Sequence, residues 1–108
     1  MQNSTLNEMT ELVVNWAKEQ GKIYPSGVEK QGDENKYPAE IQGFINVVKN
    51  EIARMDDSFL RKFEHALLHI PDERGFTKGQ IIMLNSIRSS VFIELAKRNN
   101  KTENEPGD

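Results

Sequence analysis

The 108-residue sequence contains no cysteine. That absence excludes a disulfide scaffold, an iron–sulfur cluster, thiolate zinc sites and cysteine nucleophiles together. It suits a reducing compartment, and the expected address is cytoplasmic. Long apolar runs are missing as well. No stretch approaches the ~18–20 consecutive apolar residues that a membrane helix needs, so no membrane partner is expected. The opening segment, Met1 to Glu11, is polar and acidic and does not read as a secretory signal peptide. Internal repeats, sustained heptads and strand-like alternation are absent too. There is no phosphate loop either: Gly75-Phe76-Thr77-Lys78-Gly79 is too short and lacks the Gly-Lys-Ser/Thr ending. Net charge is only −3, which argues against nucleic-acid binding by bulk phosphate neutralisation.

What is present is helical periodicity. Hydrophobic residues make up 36% of the chain and charged residues 29%, enough for one modest core under a well-solvated surface. A first helix is expected over 5–20, opened by a Thr5/Glu8 capping box. Leu6, Met9, Val13, Trp16 and Ala17 lie at spacings of three and four, and Gly21 stands at the expected C′ position. Residues 21–37, with Pro25 and three glycines, form a long connection that Ile23 and Tyr24 would pin to the core.

Pro38 opens a second helix over 38–55, with an apolar stripe at Ile41, Phe44, Ile45, Val48, Ile52 and Met55. Asp56 or Asp57 caps a third over 57–70, which buries Phe59, Phe63, Ala66, Leu67 and Ile70 and stops at Pro71. Thr77 and Gln80 form a second capping box for a last helix over 77–98. That helix is apolar on more than one side, so it is expected to be central or shared with another chain. The polar tail, 99–108, reads as disordered. The fold class is therefore all-α: one domain, 1–98, a bundle of about four helices with a long loop between the first two. The short later connections make helices two, three and four antiparallel neighbours. Trp16, Phe44, Phe63 and Phe92 are the expected core aromatics.

Candidate chemistry is sparse. His65 and His69 lie four apart on one helical face and are weak metal-ligand candidates, with Asp72 or Glu73 nearby. Glu8 with Glu11, and Glu40 with Glu51, are the closest approaches to paired helical carboxylates. Ser86, Ser89 and Ser90 sit inside a helix, where a strained nucleophile turn does not form; they read as small packing residues. The last helix is the only basic segment. Its Lys78, Arg88, Lys97 and Arg98 are candidate phosphate contacts for a nucleic-acid-binding regulator.

The segment Asn15-Trp16-Ala17-Lys18-Glu19-Gln20-Gly21, followed by Lys30-Gln31, resembles the opening of small MazG-like nucleotide pyrophosphohydrolases, over about a sixth of the chain. The resemblance implies a magnesium-dependent nucleotide hydrolase of divergent design. The family's paired glutamates are replaced here by Gly32-Asp33-Glu34-Asn35-Lys36, so no catalytic residue carries over.

The leading expectation is a non-enzymatic interaction module that docks a helical surface on another protein or, as a homodimer, on itself. Small helical proteins of this make-up include phage-encoded inhibitors, immunity proteins and assembly adaptors. Ile82, Met83, Ile87, Phe92 and Ile93 are the candidate interface, and no cofactor is implied.

Overall fold

The structure, a computed structural model, describes residues 5–25 and 38–103. It is all-helical, with no strand among the described residues: α1 (Leu6–Ile23), α2 (Ala39–Arg54), α3 (Asp57–Leu68) and α4 (Lys78–Glu103), with a 3₁₀ turn at Glu73–Gly75 between α3 and α4. A long connection joins α1 to α2; its residues 26–37, and the tail residues 104–108, lie outside the described part.

The start signals act as the sequence implies. Glu8 N–H donates to Thr5 Oγ1 at 3.1 Å while Thr5 N–H donates to the Glu8 carboxylate at 3.0 Å. Thr77 and Gln80 repeat the exchange at the head of α4, at 3.1 and 2.8 Å. Asp56 accepts from Phe59 N–H at 2.8 Å. Each contact satisfies an N–H that the first helical turn leaves without an intrahelical acceptor.

The core joins Met9, Val13 and Ala17 of α1, four residues of the α2 stripe, Leu60, Phe63 and Leu67 of α3, and five residues of α4. α4 packs on all three other helices, and α1 also meets α3. The central position expected of the last helix is thus what the fold uses. α3 runs antiparallel to α4, since Asp57 meets Arg98 and the Leu67 carbonyl meets Arg88. α2 and α3 do not pack along each other. They diverge from the corner at residues 55–56, and α4 fills the space that direct pairing would have closed.

Beyond the separation of α2 from α3, which were expected to be antiparallel neighbours, five expectations change. Gly21 does not end α1; the helix continues to Ile23. A Cβ on Gly21 would lie 2.6 Å from Gln80 N and 2.7 Å from its Cα. The glycine is there so that α4 can touch α1 backbone to backbone. Ile23 is exposed, so of the two expected pins only Tyr24 packs on the core. α3 stops at Leu68, with His69 as its C-cap. Phe92 is 64% exposed and so not a core aromatic. Finally, α4 continues as helix through residues 99–103, the first part of the expected tail.

Candidate functional site

The face that α4 turns away from the core lies between α2 and α3. On one side a groove of about 450 Å³ runs between α3 and α4, lined by Glu64, Leu67, Leu68, Asn85, Ser89 and Phe92 among others. On the other, a groove of about 280 Å³ separates α2 from α4, with Lys49, Ala53, Ile93 and Lys97 on its walls. Phe92 and Ile93 stand on the ridge between them, 64% and 56% exposed, and Leu68 is 54% exposed on the α3 wall.

This ridge lacks charge. Between Lys78 and Lys97 the middle of the outer face of α4 is Ile82, Asn85, Ser86, Ser89, Phe92, Ile93 and Ala96, all exposed or half-buried, while the half-buried Arg88 and Glu94 lie to its sides and are paired within the fold. The middle positions extend over four turns, about 20 Å at 1.5 Å per residue. In a chain whose residues are 29% charged, a solvent-facing helix of this length would ordinarily carry several charged side chains. Of the five interface candidates, Phe92 and Ile93 lie on this ridge and Ile82 is half-buried at its head. Met83 and Ile87 are completely buried in the chain's own core and offer no surface, a correction to their assignment. Adjacent apolar residues on a helix point in different directions; spacing within the run, and not its overall apolarity, separates the two sets.

The arginines are spent inside the fold. Arg88, whose side chain is 14% exposed, donates from Nε to the Leu67 carbonyl at 2.7 Å, and its guanidinium grips both oxygens of Glu73. Those hydrogen bonds hold the Glu73 carboxyl below its ordinary pKa. Arg98 binds Asp57 at 2.7 Å and Glu94 at 2.9 Å and reaches the Ile52 carbonyl at 3.3 Å. The hydrogen bonds it donates, to Asp57 first and then to Glu94, raise its pKa. Arg88 ties α3 and the 3₁₀ turn to α4, while Arg98 staples the α2–α3 corner. Of the four nucleic-acid candidates only Lys78 and Lys97 remain on the surface, and they sit at opposite ends of the ridge.

The histidines do come together, with ring centroids 4.1 Å apart and the planes 22° from parallel. His69 Nδ1 lies 2.8 Å from the His65 carbonyl; a carbonyl only accepts, so that nitrogen carries the proton. No group of three or more His, Asp or Glu side chains able to hold a metal occurs among the described residues. Glu8 is occupied in its cap, and Glu51 lies 3.8 Å from Arg54. The Gly32–Lys36 stretch that stands where MazG-like enzymes carry paired glutamates falls outside the described residues. Ser90 is buried and returns its hydroxyl to the Ser86 carbonyl, and Ser86 donates to the Met83 carbonyl. Both hydroxyls donate to carbonyls of their own helix, and of the two only Ser90 is buried.

A third depression, of about 560 Å³, lies between α1 and α3 and is walled by Asn7, Glu11, Asn15, Lys18, His69 and Asp72 among others. Its charges are mixed and solvent-facing, and they converge on no single point. Comparison of the chain with protein-family models, with curated proteins and with solved structures finds no match.

Proposed function

We propose that the protein is a non-enzymatic interaction module that docks the outer face of α4 on a protein partner. The observation that carries the reading is the uncharged ridge from Ile82 to Ala96, crowned by exposed Phe92 and Ile93 and flanked by two grooves. An aromatic side chain on a rigid helix supplies contact area at little conformational cost, and such residues dominate binding energy at interfaces. Small neighbours at Asn85, Ser86 and Ser89 allow another element to approach closely. The internal use of Arg88 and Arg98 weakens the nucleic-acid alternative, because the two best phosphate ligands already have partners.

The test is affinity purification of the tagged chain from its native cells, with and without nuclease, beside the Phe92→Asp variant. Retention of the same stoichiometric protein by the wild type after nuclease, and its loss from the variant, supports the docking reading. Equal recovery by both proteins, or recovery of nucleic acid alone, removes it.

A further inference from the structure

The ridge is bordered by opposite charges. Of the charged side chains in the two grooves, Arg88 is taken by Glu73, and Glu94 by Arg98. That leaves Glu64 on the α3 wall and Lys49 on the α2 side, where the largely exposed Lys97 lies 4.0 Å from Glu94. Glu64 and Lys49 make no ion pair within the described part of the chain. They also sit at similar heights. Residues 57 and 67 of α3 lie beside 98 and 88 of α4, so Glu64 lies near residue 91. Lys49 shares its groove with Ser90, Ile93 and Glu94.

Phe92 leans towards the acidic wall and Ile93 towards the basic one. The line midway between them runs along Ser89 and Ala96, two turns apart on the helix. A face divided in this way is complementary to itself under one operation, a two-fold axis parallel to α4. That axis places the left half of one face against the right half of the other, so contacts are reciprocal.

We propose that the outer face of α4 is a self-association surface that packs a second copy of this chain with its α4 running parallel, Phe92 of each copy against Ile93 of the other and Glu64 of each facing Lys49 of the other. This deepens the docking reading above, on which it rests. The antiparallel alternative would set the two basic walls side by side and the two acidic walls likewise, which like-charge repulsion disfavours.

The absence of native cysteine gives a direct test. A disulfide needs Cα atoms about 4.4–6.8 Å apart. In the parallel arrangement each residue on the axis meets its own counterpart. Ser89→Cys and Ala96→Cys, made separately, should therefore both form covalent dimers on mild oxidation, whereas an antiparallel pair allows at most one of them. Sedimentation equilibrium gives the second reading. The wild type should dimerise, Phe92→Asp should raise the dissociation constant by about 30-fold or more, and Glu64→Lys and Lys49→Glu should each weaken the dimer while the double reversal restores it.

A wild type that stays monomeric to about 100 μM, where a micromolar Kd would pair most chains, overturns the proposal. So does cross-linking at only one of the two positions, or failure of the double reversal to rescue. A monomer that still captures a protein partner through Phe92 would defeat self-association and leave the docking reading standing. Loss of both defeats the docking reading itself.

Discussion

The two sides of α4 are built on opposite rules. On its inner side the helix is sealed: Met83, Leu84, Ile87 and Val91 are fully buried, and at its head the backbone itself touches α1. Gly79 N–H donates to the Pro25 carbonyl at 3.0 Å, and Gln80 Nε2 donates to the Lys18 carbonyl at 3.2 Å. On its outer side the same helix is covered by no other described element, and its largest side chains stand exposed between two grooves. Volume and backbone geometry are constrained on the first side and free on the second. Identical chemical changes should therefore have opposite consequences for stability and for association.

The sealed side should give the largest effects. Phe63 is completely buried against α4 and its neighbours, so Phe63→Ala should cost about 3–5 kcal/mol in urea unfolding. A loss under about 1 kcal/mol would mean that the inner side is not packed as described. Gly79→Ala comes next. The added Cβ would collide with the Tyr24 carbonyl and lie 2.9 Å from its carbon and 3.2 Å from that of Pro25. These are backbone atoms that cannot swing aside, so a cost of about 3 kcal/mol is expected. Gly43→Ala is the matched control. Nothing lies within 4 Å of its Cβ position in the exposed face of α2, and the change should stabilise by about 0.5–1 kcal/mol. Equal effects at the two glycines would erase the distinction.

Arg88 stands at the border between the two sides. Arg88→Met keeps the aliphatic stem but strips the donors from the Leu67 carbonyl and from Glu73, and should cost about 2 kcal/mol at neutral pH. The pH dependence follows from the lowered pKa of Glu73, set first by its hydrogen bonds to Arg88. A depressed carboxyl stabilises the fold fully above its unfolded value, near 4.5, and the benefit disappears as pH falls through the lower folded value. The stability difference between wild type and variant should therefore be constant from pH 7 to about 5 and narrow in acid. A difference that widened in acid would show that the ion pair is not the source.

The sequence is most informative where one residue has one use. Thr5, Asp56 and Thr77 announce helix starts because a short polar side chain before an apolar run has few other roles, and all three act as caps. The apolar stripe of α2 was legible for the same reason, though Leu60, equally buried, was hidden in a denser run on α3. Gly21 has two uses, the left-handed cap and close approach of backbones. Sequence spacing cannot choose between them, because the deciding atom belongs to Gln80, 59 positions away. Arg88 and Arg98 read as surface cations since their acceptors, Glu73, Asp57 and the carbonyls of α2 and α3, come from other elements. Phe92 suits by sequence both the core and an interface. Val91 beside it is buried, while Phe92 faces the gap left by the divergence of α2 and α3.

That last residue gives the smallest stability effect and the sharpest contrast. Phe63 and Phe92 are the same amino acid on adjacent packed helices, one with no exposure and the other 64% exposed. A charge at position 63 would be buried without a partner. At position 92 the carboxylate stays in water, so Phe92→Asp should shift monomer stability by no more than about 0.5 kcal/mol while leaving helicity unchanged. Its effect should appear only in assembly. If thermal unfolding at dilution instead shows a loss of about 2 kcal/mol or more, Phe92 supports the fold from a groove wall, and the outer face of α4 is a loosely closed part of the core.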